Sequence, residues 1–134
     1  MKKIILTLVL IVTTIGMFAQ KSTPSDADVL KLMNVKRGMD AVNSLADDMS
    51  KNMDSKKAIT FKKAMNDYKT NLINEALKTF KAEYTAKEIK AIYDECTSDV
   101  INYSDLTNNF FKKWRRIKGE MFFKHAKVEL SKLQ

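Results

Sequence analysis

The chain has 134 residues, a formal net charge of +8, one cysteine and one histidine. That length suits one domain, large enough to bury a core without metal or disulfide staples. The single cysteine, Cys96, excludes an internal disulfide, and the single histidine, His125, leaves little material for a zinc site or a base-assisted nucleophile.

The N-terminus has the layout of a secretory signal peptide. Lys2 and Lys3 precede an apolar run over residues 4–16, and Met17-Phe18-Ala19 ends in a small residue before polar Gln20. The run is shorter than the ~20 residues a spanning helix needs, which favours a cleaved signal over an anchor. No cysteine follows it to carry a lipoprotein anchor, and no second long apolar run appears. The expectation is a signal peptide over residues 1–19, a linker over 20–25 and a helical domain over 26–134. The protein would be exported, to the periplasm or beyond, with no transmembrane helix after processing. Loss of Lys2 and Lys3 lowers the formal charge from +8 to +6.

Residues 21–25 hold the only proline, Pro24, among Ser and Thr, and read as a short tether. Ser25-Asp26-Ala27-Asp28 opens the first helix, with Ser25 as cap and acids in the first turn, where the helix dipole favours them. That helix carries Val29, Leu30, Leu32 and Met33, and residues 34–38 break it. In the second helix Met39, Val42, Ala46, Met49 and Met53 step by three and four along one seam, widened by Leu45. Asp54-Ser55 leads into a long third helix, roughly residues 57–80. Its seam is Phe61, Met65, Tyr68, Leu72, Ala76 and Phe80, broadened by Ile73 and Leu77.

Thr85-Ala86-Lys87-Glu88 is a capping box and marks a helix start. Ile89, Ile92, Tyr93 and Cys96 follow on one face. Residues 97–104 are polar; Val100, Ile101 and Tyr103 pack either as a continuation or as a bent turn. Ser104-Asp105 caps the last helix, whose seam is Leu106, Phe110, Trp114, Ile117, Met121 and Val128. No stretch alternates as a strand would. The predicted fold is all-α: a small antiparallel bundle or array of four to five helices after a cleaved signal peptide.

Few residues suggest chemistry. His125 lies at the edge of the last seam, where a packing role outweighs a catalytic one. Glu129 follows it at a ligand-compatible spacing that is also ordinary on a helix surface. Asp94, Glu95 and Asp99 read as solvated charge at a helix end, since no loop of alternating acids surrounds them. Met39, Met49 and Met53 share a seam and could offer thioethers to Cu(I), but methionine at core spacing is usually packing. Cys96 reads as a small buried hydrophobe, with a free reactive thiol or an intermolecular bridge as alternatives. Asn102-Tyr103-Ser104 matches a glycosylation acceptor, discounted because the signal and composition look bacterial. No cofactor, metal site or catalytic residue is predicted.

The cluster that stands out is Lys112, Lys113, Arg115, Arg116 and Lys118 around Trp114 and Ile117. On a helix the two apolar residues face the core, while Lys112, Arg115 and Arg116 point away. Phe123 falls near the sector of Lys112 and Arg116. The expected function is a non-catalytic binding module whose basic last helix meets an acidic protein, an anionic lipid surface or a polyanion. Lysine greatly outnumbers arginine, which disfavours sequence-specific nucleic acid. A homodimer stays open. The alternative function is a carrier of an apolar small molecule or lipid between helices.

Residues 77–93, with Phe80 and Tyr84, then Thr85 and Glu88, then Ile89, Ile92 and Tyr93, resemble the domain of unknown function 2059 family of small exported bacterial proteins. The segment beginning Val29-Leu30 and the methionine-rich second helix fit as well. After Tyr93 this chain departs from the family pattern. The resemblance implies an exported all-helical domain and supplies no reaction or catalytic residue.

Overall fold

A computed structural model describes residues 22–132. The expected signal peptide, residues 1–19, and Gln20 and Lys21 of the expected linker lie outside the described residues. Five α-helices follow in order: α1 Asp26–Met33, α2 Asp40–Ser50, α3 Ser55–Glu83, α4 Ala86–Cys96 and α5 Asp105–Ser131. The all-α expectation holds, with no strand among the described residues.

Helices α1, α3 and α4 start at side-chain caps. The Ser25 hydroxyl accepts from the Asp28 amide and the Asp54 carboxylate from the Lys57 amide. The capping box at Thr85 is complete: its hydroxyl accepts from the Glu88 amide, and the Glu88 carboxylate accepts from the Thr85 amide at 2.8 Å. That satisfies orphan amides that a helix start otherwise leaves unpaired.

The long α3 is the spine, spanning roughly 44 Å at the α-helical rise. All six residues of its expected seam are buried. It packs against α1, α2 and α5, while α4 joins α1 to α5. Lys62 pairs with Asp47 of α2, and Tyr68 donates its hydroxyl to the Lys118 carbonyl of α5 at 3.2 Å. Aromatic rings lock the far end of the spine. Phe80 stacks on Phe110 at 4.3 Å, and Tyr84 and Trp114 meet Phe80 edge-on.

Several expectations need correction. Pro24 is fully buried, and the Ser22 carbonyl accepts from the Ala86 amide at 2.8 Å. Residues 22–25 are therefore held against α4 and are no free tether. In α2 the seam fails at its end: Met49 is 38% exposed, and Ser50 is buried with its hydroxyl on the Asp47 carbonyl. This helix packs on α3, and that contact leaves Met49 outside while it covers Ser50. Val128 is likewise 52% exposed. The helix α4 meets the start of α5, where Glu95 bonds Ser104, and leaves the other end of α5 thinly covered.

The break between α1 and α2 is a short 3-10 turn, Val35–Arg37, in which Lys36 and Arg37 have φ of 53° and 60°. Side chains rarely take that left-handed conformation. Gly38 is there for a different reason. Its own φ is −58°, but a Cβ would stand 2.3 Å from the Met33 carbonyl oxygen. Replacing Gly38 with Ala should destabilise the fold by ~1–3 kcal/mol through overpacking. At Gly119 a Cβ meets nothing within 4 Å. Gly119→Ala should stabilise it by about 1 kcal/mol, since Ala is the better helix former. Urea unfolding of the two variants checks both signs.

Candidate functional site

The start of α5 is fixed by a polar clamp. The Glu95 carboxylate, at the end of α4, accepts from the Ser104 amide at 2.7 Å, from the Ser104 hydroxyl at 2.8 Å and from the buried Thr107 hydroxyl. These donors hold the Glu95 pKa below its ordinary value of 4.5, the Thr107 hydroxyl most of all. The reading of Glu95 as a solvated charge is thereby corrected. Nearby, the Lys36 amine lies 4.3 Å over the Tyr103 ring, and Ile101 projects into solvent.

With α5 anchored at that end, Phe110, Trp114 and Ile117 enter the core, and the five expected cations divide into two groups. Lys112, Arg115 and Arg116 are exposed. Arg116 reaches Glu120 at 3.6 Å across one turn, while Lys112 and Arg115 form no ion pair among the described residues. The other two are structural fasteners. Lys113 pairs with Glu83 at the end of α3. Lys118 donates to the Gly38 carbonyl at 3.1 Å and sits 5.0 Å over the Trp114 ring. Burial, then the nearby Arg115 charge, pushes its amine below the ordinary 10.5. The fold thus gathers three of the five on one outward face and sets two, half-buried, at its sides.

Phe123 belongs to that outward face. It lies eleven positions after Lys112, close to three full turns. Its ring is 72% exposed and leans edge-on against Phe122, which in turn packs edge-on against Tyr68. Gly119 occupies the same sector between Arg115 and Phe123, a feature the sequence reading passed over. The role of Lys118 had a readable signal, since it stands four positions after Trp114, where side chains on a helix meet.

Grooves mark the surface of the described residues. One, about 640 Å³, runs between α3 and α5 and is lined by Asn71, Glu75, Lys78, Arg116, Glu120 and His125, among others. A second, about 450 Å³, shares Asn71 and His125 with it and adds Asp67 and Glu129. His125 thus sits half-buried where two polar grooves of mixed charge meet. A third, about 250 Å³, is more apolar, with Leu30, Met33, Met39 and Ile73 in its wall.

Cys96 is buried, and burial raises its thiol above the ordinary value of 9.0, which suits packing better than reactivity. Met39 is in the core while Met49 is exposed. Among the described residues no group of three or more His, Cys, Asp or Glu could hold a metal ion, and no helix is long and apolar enough to cross a membrane.

No family model, curated protein or solved structure matches this chain.

The Glu95 clamp sets a pH dependence. A carboxylate with a lowered folded pKa stabilises the fold fully above its ordinary value and loses that contribution as pH falls through the folded value. The melting temperature should therefore drop more steeply below pH 4.5 in the native protein than in Glu95→Gln. Thermal melts over a pH series, followed by circular dichroism, measure the difference. Parallel curves would show that the carboxylate does not hold α5.

Proposed function

We propose that this chain is an exported, non-catalytic binding module that docks on an anionic partner through the outward face of α5. The observation that carries this reading is the grouping of Lys112, Arg115 and Arg116, all exposed, beside the exposed ring of Phe123. This face thus joins positive charge to a bare aromatic ring. An anionic partner gives both a use: charge draws it in, and the ring adds apolar burial at close range.

The remaining two expected site residues act on the fold. Lys113 and Lys118 tie α5 to α3 and to the turn before α2, and so hold the docking face at its angle. Export rests on the signal-like first nineteen residues, and the resemblance over residues 77–93 fits the same reading. The carrier alternative would use the apolar groove beside α1 and α2. At about 250 Å³ that groove is smaller than the ~300–1,000 Å³ of most ligand pockets, so docking is the better supported reading.

The test is retention on immobilised heparin, a soluble polyanion. The native protein should be retained and should elute with salt. Arg115→Glu with Arg116→Glu should weaken binding about tenfold or more, with helicity unchanged by circular dichroism. Lys113→Ala should leave retention intact and lower stability by about 1 kcal/mol or less. Undiminished retention of the double variant would remove α5 from the proposal.

A further inference from the structure

We infer that the anionic partner of α5 is the headgroup layer of a lipid bilayer, with Phe123 entering the boundary between headgroups and acyl chains. This rests on the docking reading above and adds the identity of the partner.

Two of the described grooves lie between α3 and α5 and the third beside α1 and α2; Arg116 borders the first, and none is lined by Lys112, Arg115, Gly119 or Phe123. The docking face is a convex helix surface. A protein partner would need a matching concave acidic cleft, whereas a bilayer needs only one line of contact along the helix. Lys112 to Phe123 spans ~16 Å at the α-helical rise, and Lys127, one turn beyond Phe123, continues the basic row.

An aromatic ring exposed to water, that of Phe123, accompanies the charges and gives the face an apolar contact. Helices that lie in a membrane interface combine a cationic rim with large apolar side chains that dip below the headgroups. The ring is also supported, since Phe122 backs it and Tyr68 backs Phe122. It projects from a built platform instead of folding down over the cations.

Gly119 stands between Arg115 and Phe123 on this face, and the space a Cβ would take is open. The helix backbone can therefore approach a plane closely here. The long stems of Arg115 and Arg116 can then spread sideways while their charged heads stay at phosphate level. The one carboxylate beside the row, Glu120, is partnered by Arg116. Each cation is drawn to an anionic leaflet, and burial of the ring adds to that attraction.

The test places a reporter at the point of entry. In the full chain, Phe123→Trp adds a second tryptophan; the first, Trp114, is buried and serves as an internal reference. Vesicles of phosphatidylcholine with brominated phosphatidylglycerol supply a quencher inside the bilayer. Because the reporter is local, attachment through any other segment leaves it unquenched. The expected result is a blue shift and quenching of the residue 123 emission. Adding Arg115→Glu and Arg116→Glu should raise the lipid concentration needed about tenfold or more. Quenching that survives the double reversal, or that occurs equally on neutral vesicles, overturns the inference. So does an unquenched reporter; if heparin retention still depends on Arg115 and Arg116, only the bilayer is lost and the docking face stands. Absence of both signals removes the inference and the docking reading together.

Discussion

Phe80 stacks on Phe110, and Tyr84 and Trp114 close around the pair. Through these rings the end of α3 grips the first half of α5, and the grip fixes the rotation of α5 about its own axis. A helix advances by a constant angle per residue, so setting Phe110, Trp114 and Ile117 inward sets every other position as well. Lys112, Arg115 and Arg116 have nowhere to go but outward. Lys113 and Lys118 fall to the sides, where Glu83 and the Gly38 carbonyl receive them. The surface chemistry of α5 is thus a consequence of its core packing.

The packing carries a cost at its centre. Trp114 is buried, yet its indole Nε1 has no hydrogen-bond partner. An orphaned buried donor costs ~1–3 kcal/mol. The same ring offers compensation, since the Lys118 amine lies over it and also reaches a backbone carbonyl from the strained turn. One lysine therefore joins the core of α5 to the junction between α1 and α2.

How far the sequence could be read depended on the range of each interaction. The spine α3 was legible because Phe61 to Phe80 repeat by three and four over many turns, and such a pattern has one helical solution. The start of α4 was legible because a capping box lies within four residues. Met49 and Val128 continued their periodic rows but not their burial, because a period says which face turns inward and not how far a neighbour extends. The sorting of the five cations was only half visible. Their angles could be read, but the partner of Lys113 is thirty residues away and that of Lys118 eighty. The Glu95 clamp was missed for the same reason: its donors lie beyond a loop whose path no local pattern fixes.

The contact between Ser22 and Ala86 bears on how far the chain can be shortened ahead of α1. The Ser22 carbonyl occupies the first amide of α4, and Pro24 is fully buried two residues later. A protease that trimmed the chain beyond Ser22 would strip an acceptor from that helix, and one that removed Pro24 would take away a buried side chain. The residues from Ser22 to Ser25 are therefore working parts of the fold and no mere approach to α1.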